Sequence, residues 1–515
     1  MIFMLTPATL VLLAVVVVAA ALHAISSSRR KRRSLSNSPL GANQSADAET
    51  AALPTAPGPS TVPILGSLHH MRNYNENPFE GFTVMSEEFG PVYSLKMGST
   101  PAVVVSSFEG IKEVLIKKGS AFDGRPDILR FNLYFGGDRN QSLALCDYNN
   151  TQKTRRQLAR AFLMARPESS NFEILDQMIA VETEKMMSIL QNKTSSPVDI
   201  KTIVATSGMN MFTNYMCSTN FEYEDKEFKQ IVSCFNAIFD DVNEGHPTDF
   251  LPWLTPFYGS YLNNLRHQAS SIRDWILKSI IQDRLDTIET KEDIKDLADA
   301  LMYNFKFQEE GVESLDLENV LFELEDLLGG SASLGNMTLR ALYYITQNPD
   351  VMKSLQKEID EVIGDSRLPN VLDRNDMPYM EAFMLEVLRS TSSPIVPHCA
   401  TEDSSIGGFD VKKGTVVFIN NYKINLSADY WDQPEEFRPT RFLDNGKVKK
   451  PAYFLPFSTG RRACIGTRIF SNITFVVVSA LMQQFDVSLP TDQSFKLKQG
   501  SIAIKPQDVI FTKRQ

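Results

Sequence analysis

Near the end of the chain, the run Phe457-Ser-Thr-Gly460-Arg-Arg462-Ala-Cys464-Ile-Gly466 sets a single cysteine among glycines and arginines. A thiolate is a soft ligand for iron, and a cysteine-ligated haem is one of the established haem types. Such a thiolate needs N–H donors around it to contain its charge. Gly460 and Gly466 let the backbone curl so that those groups point inward. Arg462 is spaced to pair with a haem carboxylate and to stabilise the thiolate. A helix beginning just after Cys464 adds its positive end. The bland alternative is an inert buried cysteine, the commoner fate of a lone one. The other cysteines, Cys146, Cys217, Cys234 and Cys399, form no CxxC and match no zinc spacing. An odd, sparse set of this kind suits a reducing compartment and leaves one thiol for chemistry.

The elements that must position this loop are mostly helical. From Thr151 to about Gly364 the pattern has helical period, including one long run from Leu317 to Ile345. Arg468–Phe485 is a last apolar helix directly behind the cysteine. Strand signals are fewer: Gly90–Ser107 alternates around a Gly-Ser turn and reads as a hairpin, "KKGTVVFIN" reads as a strand, and strand pieces finish the chain. No fixed-period repeat occurs. The expected fold is mainly α with a smaller β part (α+β).

A net charge of −10 argues against nucleic-acid binding as the main function. The first 25 residues carry no Asp, Glu, Lys or Arg, and "RRKRR" at Arg29–Arg33 follows. This order of apolar span and basic cluster predicts a transmembrane anchor over 1–28 with the remainder cytosolic. Residues 29–56 read as a basic cluster and flexible linker, and 57–515 as one catalytic body.

The cysteine run resembles the haem-binding loop of the cytochrome P-450 superfamily, F-x-x-G-x-R-x-C-x-G. Two further stretches agree in order and spacing. Glu386-Val-Leu-Arg389 is similar to that family's E-x-x-R helix. "FRPTRF", Phe437–Phe442, is similar to its P-E-R-F segment, with Thr440 where Glu is usual. The resemblance, over about 57–515, implies a buried triad of Glu386, Arg389 and Arg441. It implies haem b ligated by Cys464, and NADPH electrons delivered by an NADPH–cytochrome reductase at the endoplasmic reticulum membrane. It implies haem-carboxylate partners at His398, in "PIVPHCA", and at Arg155, in "KTRRQLAR", although Thr151 replaces the family's tryptophan. A solvated basic face is the other reading of Arg155, and a plain core or surface histidine that of His398. Lys153, Arg155, Arg156 and Arg160, with Lys447, Lys449 and Lys450, are expected to offer the reductase a basic docking face.

The oxygen-side helix departs from the family pattern (Ala/Gly)-Gly-x-(Asp/Glu)-Thr. Here Gly329-Gly330-Ser331-Ala332-Ser333 keeps the glycines and loses the acid–alcohol pair that delivers protons. Ser333, with water or with Asn336 one turn on, is the candidate replacement. Packing is the alternative reading. "LEDLLGGSASLGN", Leu324–Asn336, and "LCDYNNTQKTRRQLAR" resemble the spook and spookier type of arthropod Halloween monooxygenases. That resemblance implies a sterol substrate at an early stage of ecdysteroid synthesis from 7-dehydrocholesterol. Three other readings stay open. One is an oxygen-independent rearrangement or dehydration of an oxidised lipid. Another is a general microsomal monooxygenase of xenobiotics. The third is a haem-containing sterol carrier or sensor. By family position, Leu129–Asn140 and Asp249–Gly259 are expected to contact substrate or membrane, with core packing as the alternative.

Overall fold

The computed structural model describes residues 53–74, 77–307, 315–490 and 497–514. The expected anchor over 1–28 and nearly all of the linker lie outside them. Among the described residues no helix is long and apolar enough to cross a membrane.

Longer helices make the body: α1 Asn150–Leu163, α2 Ser170–Gln191, α3 Ile200–Cys217, α4 Lys226–Val242, α5 Gly259–Ile276, α6 Leu317–Gly329, α7 Ala332–Gln347, α8 Pro349–Val362, α9 Pro378–Thr391 and α10 Thr467–Gln484. Asn149, Ser169, Asp199, Asp225 and Asp316 each accept from an N–H of the first turn that follows them. These caps satisfy donors that a helix start leaves open. α10 is buried on almost every side, from Ile469 to Met482. A helix apolar all round belongs in a core, and α10 packs with α7, α8 and α2 in the largest hydrophobic cluster.

α3 and α7 approach closely. A methyl at Gly208 would press on Leu334, and one at Gly335 on the Lys201 carbonyl, each inside contact distance. The small β part lies to one side. β1 Val92–Met97 and β2 Thr100–Val105 form the expected hairpin, Val92 opposite Val105. β2 pairs in parallel with Val416–Ile419, which pairs antiparallel with His398–Cys399. The strand Phe485–Ser488, continuous with α10, pairs with Asp508–Lys513, and that strand with Pro197–Asp199.

The long run from Leu317 to Ile345 is not one helix, as its periodicity predicts, but two. It breaks at Gly330–Ser331, where Gly330, Ser331, Ser333 and Leu334 each donate to the carbonyl three residues back. Two adjacent glycines carry no side chain to hold the α register, and the turn tightens.

Behind the cysteine loop, Arg389 of α9 grips Glu386 through two hydrogen bonds of 2.8 Å. Arg441 reaches the same carboxylate at 3.0 Å. Both arginines then donate to carbonyls of the following segment, at Asn425, Asp432, Gln433, Pro434 and Glu436. Both also lie over the Trp431 ring. The expected triad is therefore a strut that fixes residues 425–441 to α9. Removing one partner of a buried pair costs about 3–5 kcal/mol, whereas an exposed pair is worth roughly 0–1 kcal/mol. Arg389→Met should accordingly lower the urea midpoint sharply. Asp403→Asn, which breaks the exposed pair with Lys412, should leave it in place. Equal midpoints for the two variants would remove the strut from this account.

Candidate active site

Cys464 sits at the mouth of α10. Its N–H donates to the Phe457 carbonyl at 3.0 Å, closing the loop. The side chain is accessible, but in a recess deep enough that burial pushes the thiol up. The N–H groups of Gly466 and Thr467, the Thr467 hydroxyl and the Arg156 charge act in the opposite direction. These are the inward donors expected of a thiolate loop.

The two glycines differ in their work. Gly460 has φ +77°, and a Cβ there would overlap the Leu115 carbonyl oxygen. Leu115 belongs to a π-turn, Glu113–Lys117, packed directly against the loop. Gly466 has an ordinary φ of −82°, and a Cβ there would meet only Cys464 Sγ, at 3.9 Å, and an Ile469 methyl. The inward curl thus depends on Gly460. Phe457 packs edge-on to Phe470 of α10, with ring centroids 5.5 Å apart.

Arg462 is buried and donates Nη2 to the Ala144 and Cys146 carbonyls, both at 2.8 Å, while Nη1 has no partner. His398 is buried on its short strand. Its Nδ1 lies 2.7 Å from the Phe122 carbonyl, and Nε2 has no partner. Burial, then Arg125, keeps the His398 imidazole well below its ordinary pKa, so it is neutral.

Arg125 was not foreseen from sequence. It donates Nε to Ala144 O at 3.1 Å and Nη1 to the Val396 and Pro397 carbonyls. Burial and the neighbouring Arg462 pull it well below its usual value, and the same two causes lower Arg156. The adjacent carboxylates are taken: Asp147 by Arg139 at 2.9 Å, Asp123 by Arg461 at 3.3 Å. Arg125 is flanked by Gly124 and Pro126 in a stretch without periodicity, so only its charge between two turn formers marks it.

α1 is not the free basic face that its sequence suggests. Arg155 is fully buried and bound through Nε to Glu323 of α6 at 3.0 Å, with Nη2 left without a partner. Arg156 turns inward and donates to the Ala463 carbonyl, next to Cys464. Only Lys153 and Arg160 of the four face solvent. Lys449 pairs with Asp444, and Lys450 with Glu381. The basic face is narrower than expected because half of the helical cations are structural.

On the oxygen-side helix Ser333 and Gly329 are half-buried and Gly330 is exposed. The Ser333 hydroxyl donates to Gly330 O at 2.6 Å, which leaves its oxygen as an acceptor. Asn336 cannot share the task. It is fully buried, donates to Ala332 O and accepts from Ile504 N–H, so it holds the C-terminal segment to α7. Asp249–Gly259 is a surface turn in which Trp253 and Phe257 are exposed, not core. Helix Leu129–Tyr134 is tied to it, Arg130 gripping Asp249 at 2.6 Å and Asp241 at 2.5 Å.

The constellation is a cysteine ringed by N–H donors, in a pocket that also holds the buried guanidiniums of Arg125, Arg155 and Arg462, the last two with spare donors, and a neutral histidine whose Nε2 is unpartnered. It fits a flat, doubly anionic group with a metal at its centre, and haem has that form. The family model for cytochrome P450 matches residues 56–512. The chain is 40% identical to Cytochrome P450 307a1 of Drosophila melanogaster, with 87% of each chain covered. It is 29% identical to a steroid 17-alpha-hydroxylase/17,20 lyase of Mesocricetus auratus (88% of this chain, 91% of that one) and 31% identical to human Cytochrome P450 1A1 (85% and 87%). The chain belongs to the cytochrome P450 family. It is a monooxygenase that uses haem b with a cysteine thiolate ligand and receives electrons from NADPH through a reductase.

From the loop geometry, Gly460→Ala should yield protein nearly devoid of haem, since both φ and the Leu115 contact forbid the methyl. Gly466→Ala should keep most of it. The haem-to-protein ratio of the purified variants reads this directly. A haem-replete Gly460→Ala protein would contradict the steric argument.

Proposed function

We propose that this protein oxidises a sterol at an early stage of ecdysteroid biosynthesis, downstream of 7-dehydrocholesterol, from an anchor in the endoplasmic reticulum membrane formed by residues 1–28. The observation that carries the reading is the oxygen-side helix: Gly329-Gly330 kept, the acid replaced by Ala332 and the threonine by Ser333. That departure matches the spook and spookier type. The 40% identity to Cytochrome P450 307a1, against about 30% to the other relatives, supports it. The steroid hydroxylase among those relatives supports a sterol as the substrate class.

In this reading Cys464 would hold the haem iron through its thiolate, and Gly466 and Thr467 share its charge through their N–H groups. Arg125 and Arg462 would hold the carboxylates of the group, His398 would join them on taking up a proton at Nε2, and Arg155 adds the spare donors of its Nη2. The thiolate-ligated haem, when bound, supplies the oxidising chemistry at its iron. Helix Leu129–Tyr134 and the exposed turn at Trp253 and Phe257 form the rim that admits an apolar, membrane-borne substrate. Ser333 holds a water by its oxygen lone pairs and so keeps a proton source beside the two glycines. Lys153, Arg160 and Lys447 face the reductase.

The full chain reconstituted with reductase, NADPH and 7-dehydrocholesterol should give an oxygenated sterol by mass. Cys464→Ser should lose both product and the red-shifted ferrous–CO band. Turnover without NADPH would instead favour an oxygen-independent rearrangement.

Ser333→Ala should raise the share of electrons lost to peroxide by at least about two-fold. That is well short of the ~10²-fold effect of deleting a full general acid. Substrate-induced spectral shifts should persist. Unchanged coupling would make Ser333 a packing residue.

A further inference from the structure

Arg125 and Arg462 are aimed by the same carbonyl, Ala144 O. That carbonyl belongs to the turn Ser142–Cys146, and the turn hangs on one carboxylate. Asp326 Oδ2 accepts from Ser142 Oγ at 2.8 Å, from Leu143 N–H, and from Ala144 N–H at 3.3 Å. Ser142 Oγ then accepts from Leu145 N–H at 2.8 Å. The Leu145 N–H and the Ala144 carbonyl are two ends of one planar trans peptide and point in opposite directions. Pulling the N–H toward Ser142 therefore turns the carbonyl toward the two guanidiniums. The Leu143 carbonyl is fixed in the same way, by Gln152 Nε2 at 3.2 Å.

We infer that Asp326 is a positioning residue for the haem-carboxylate pocket, acting through Ser142 and the 144–145 peptide on Arg125 and Arg462. Asp326 lies in the last turn of α6, three residues before Gly329. The segment that ends at the oxygen-side break thus also sets the cations at the edge of the haem. A hydrogen bond to a charged acceptor is stronger than a neutral one, so a carboxylate organises this turn better than an amide would. The inference rests on the haem reading above, and its test separates the two.

The test uses the full-length ferric protein with Asp326→Ala, Asp326→Asn and, as control, Glu325→Gln, whose carboxylate binds Arg273 of α5. Two readouts are taken: the rate of haem transfer to apomyoglobin, and the ferric/ferrous midpoint potential. Asp326→Ala should release haem about ten-fold faster, the loss of a charged hydrogen-bond acceptor being of that order. Its midpoint should lie more negative than that of Asp326→Asn, which deletes the same charge but keeps an acceptor oxygen, because cations drawn away from the carboxylates no longer favour the reduced state. Asp326→Asn should release haem at a rate between it and wild type. Glu325→Gln should match wild type. If Asp326→Ala does not accumulate, Ser142→Ala replaces it and should show the same two shifts more weakly. Wild-type release in Asp326→Ala, with a midpoint equal to that of Asp326→Asn, in protein that still shows the thiolate CO band, would overturn the inference. Absence of that band from the wild type would instead overturn the haem reading itself.

Discussion

A guanidinium satisfied by carbonyl groups keeps its whole charge, whereas one satisfied by a carboxylate gives it up. Arg125 and Arg462 are of the first kind. Burying such charge is costly unless it is paired. The fold meets that constraint by giving each group backbone acceptors and by occupying the neighbouring carboxylates with other arginines, Arg139 and Arg461. The outcome is a positive interior beside a cysteine loop. Much of the surrounding structure serves to hold the pieces of that arrangement in register: the Ser142–Cys146 turn, the π-turn at Leu115 and the short strand carrying His398.

The strut around Glu386 answers the opposite need. One carboxylate is shared by two arginines, and the spare donors of both are spent on carbonyls of a segment with little regular structure. Residues 425–441 could not hold a position by helix or sheet bonds of their own, so buried side chains do it for them. The arginines of this strut are structural because their charge is consumed. Arg125 and Arg462, near the cysteine, keep theirs available to a ligand.

This distinction also explains what the sequence disclosed. The cysteine run, the E-x-x-R pair and Arg441 were legible because their spacing is local or fixed, and the fold brings Glu386, Arg389 and Arg441 together as expected. The hairpin, the α10 helix and the α-rich body followed from periodicity. Arg125 was not legible, since nothing in its own segment says that it will share a carbonyl with Arg462, 337 residues on. The sequence offers Arg155 as a haem-carboxylate partner or as part of a basic face, and Arg156 as part of that face. Helical spacing does place them side by side, but only the packing of α6 against α1 decides that one binds Glu323 and the other the Ala463 carbonyl. The break at Gly330 was hidden by apolar residues that keep helical period on both sides of it. Asn336 had the right residue type for a relay and was committed instead to Ile504, a contact between distant segments.

Arg462 and the Ala144 carbonyl are 318 residues apart in sequence, and Gly460 must close on Leu115 across a similar span. At a synthesis rate of about 5–20 residues per second, the ribosome makes one half of this pocket roughly 15–60 s before the other. Through that interval the arginine side chains of the early half have neither the cysteine loop nor the later strand to complete them. Loading of the prosthetic group is therefore a late event in the life of the chain. Any cellular factor that escorts the nascent protein must shield a half-built, positively charged cleft for the time it takes to translate the rest.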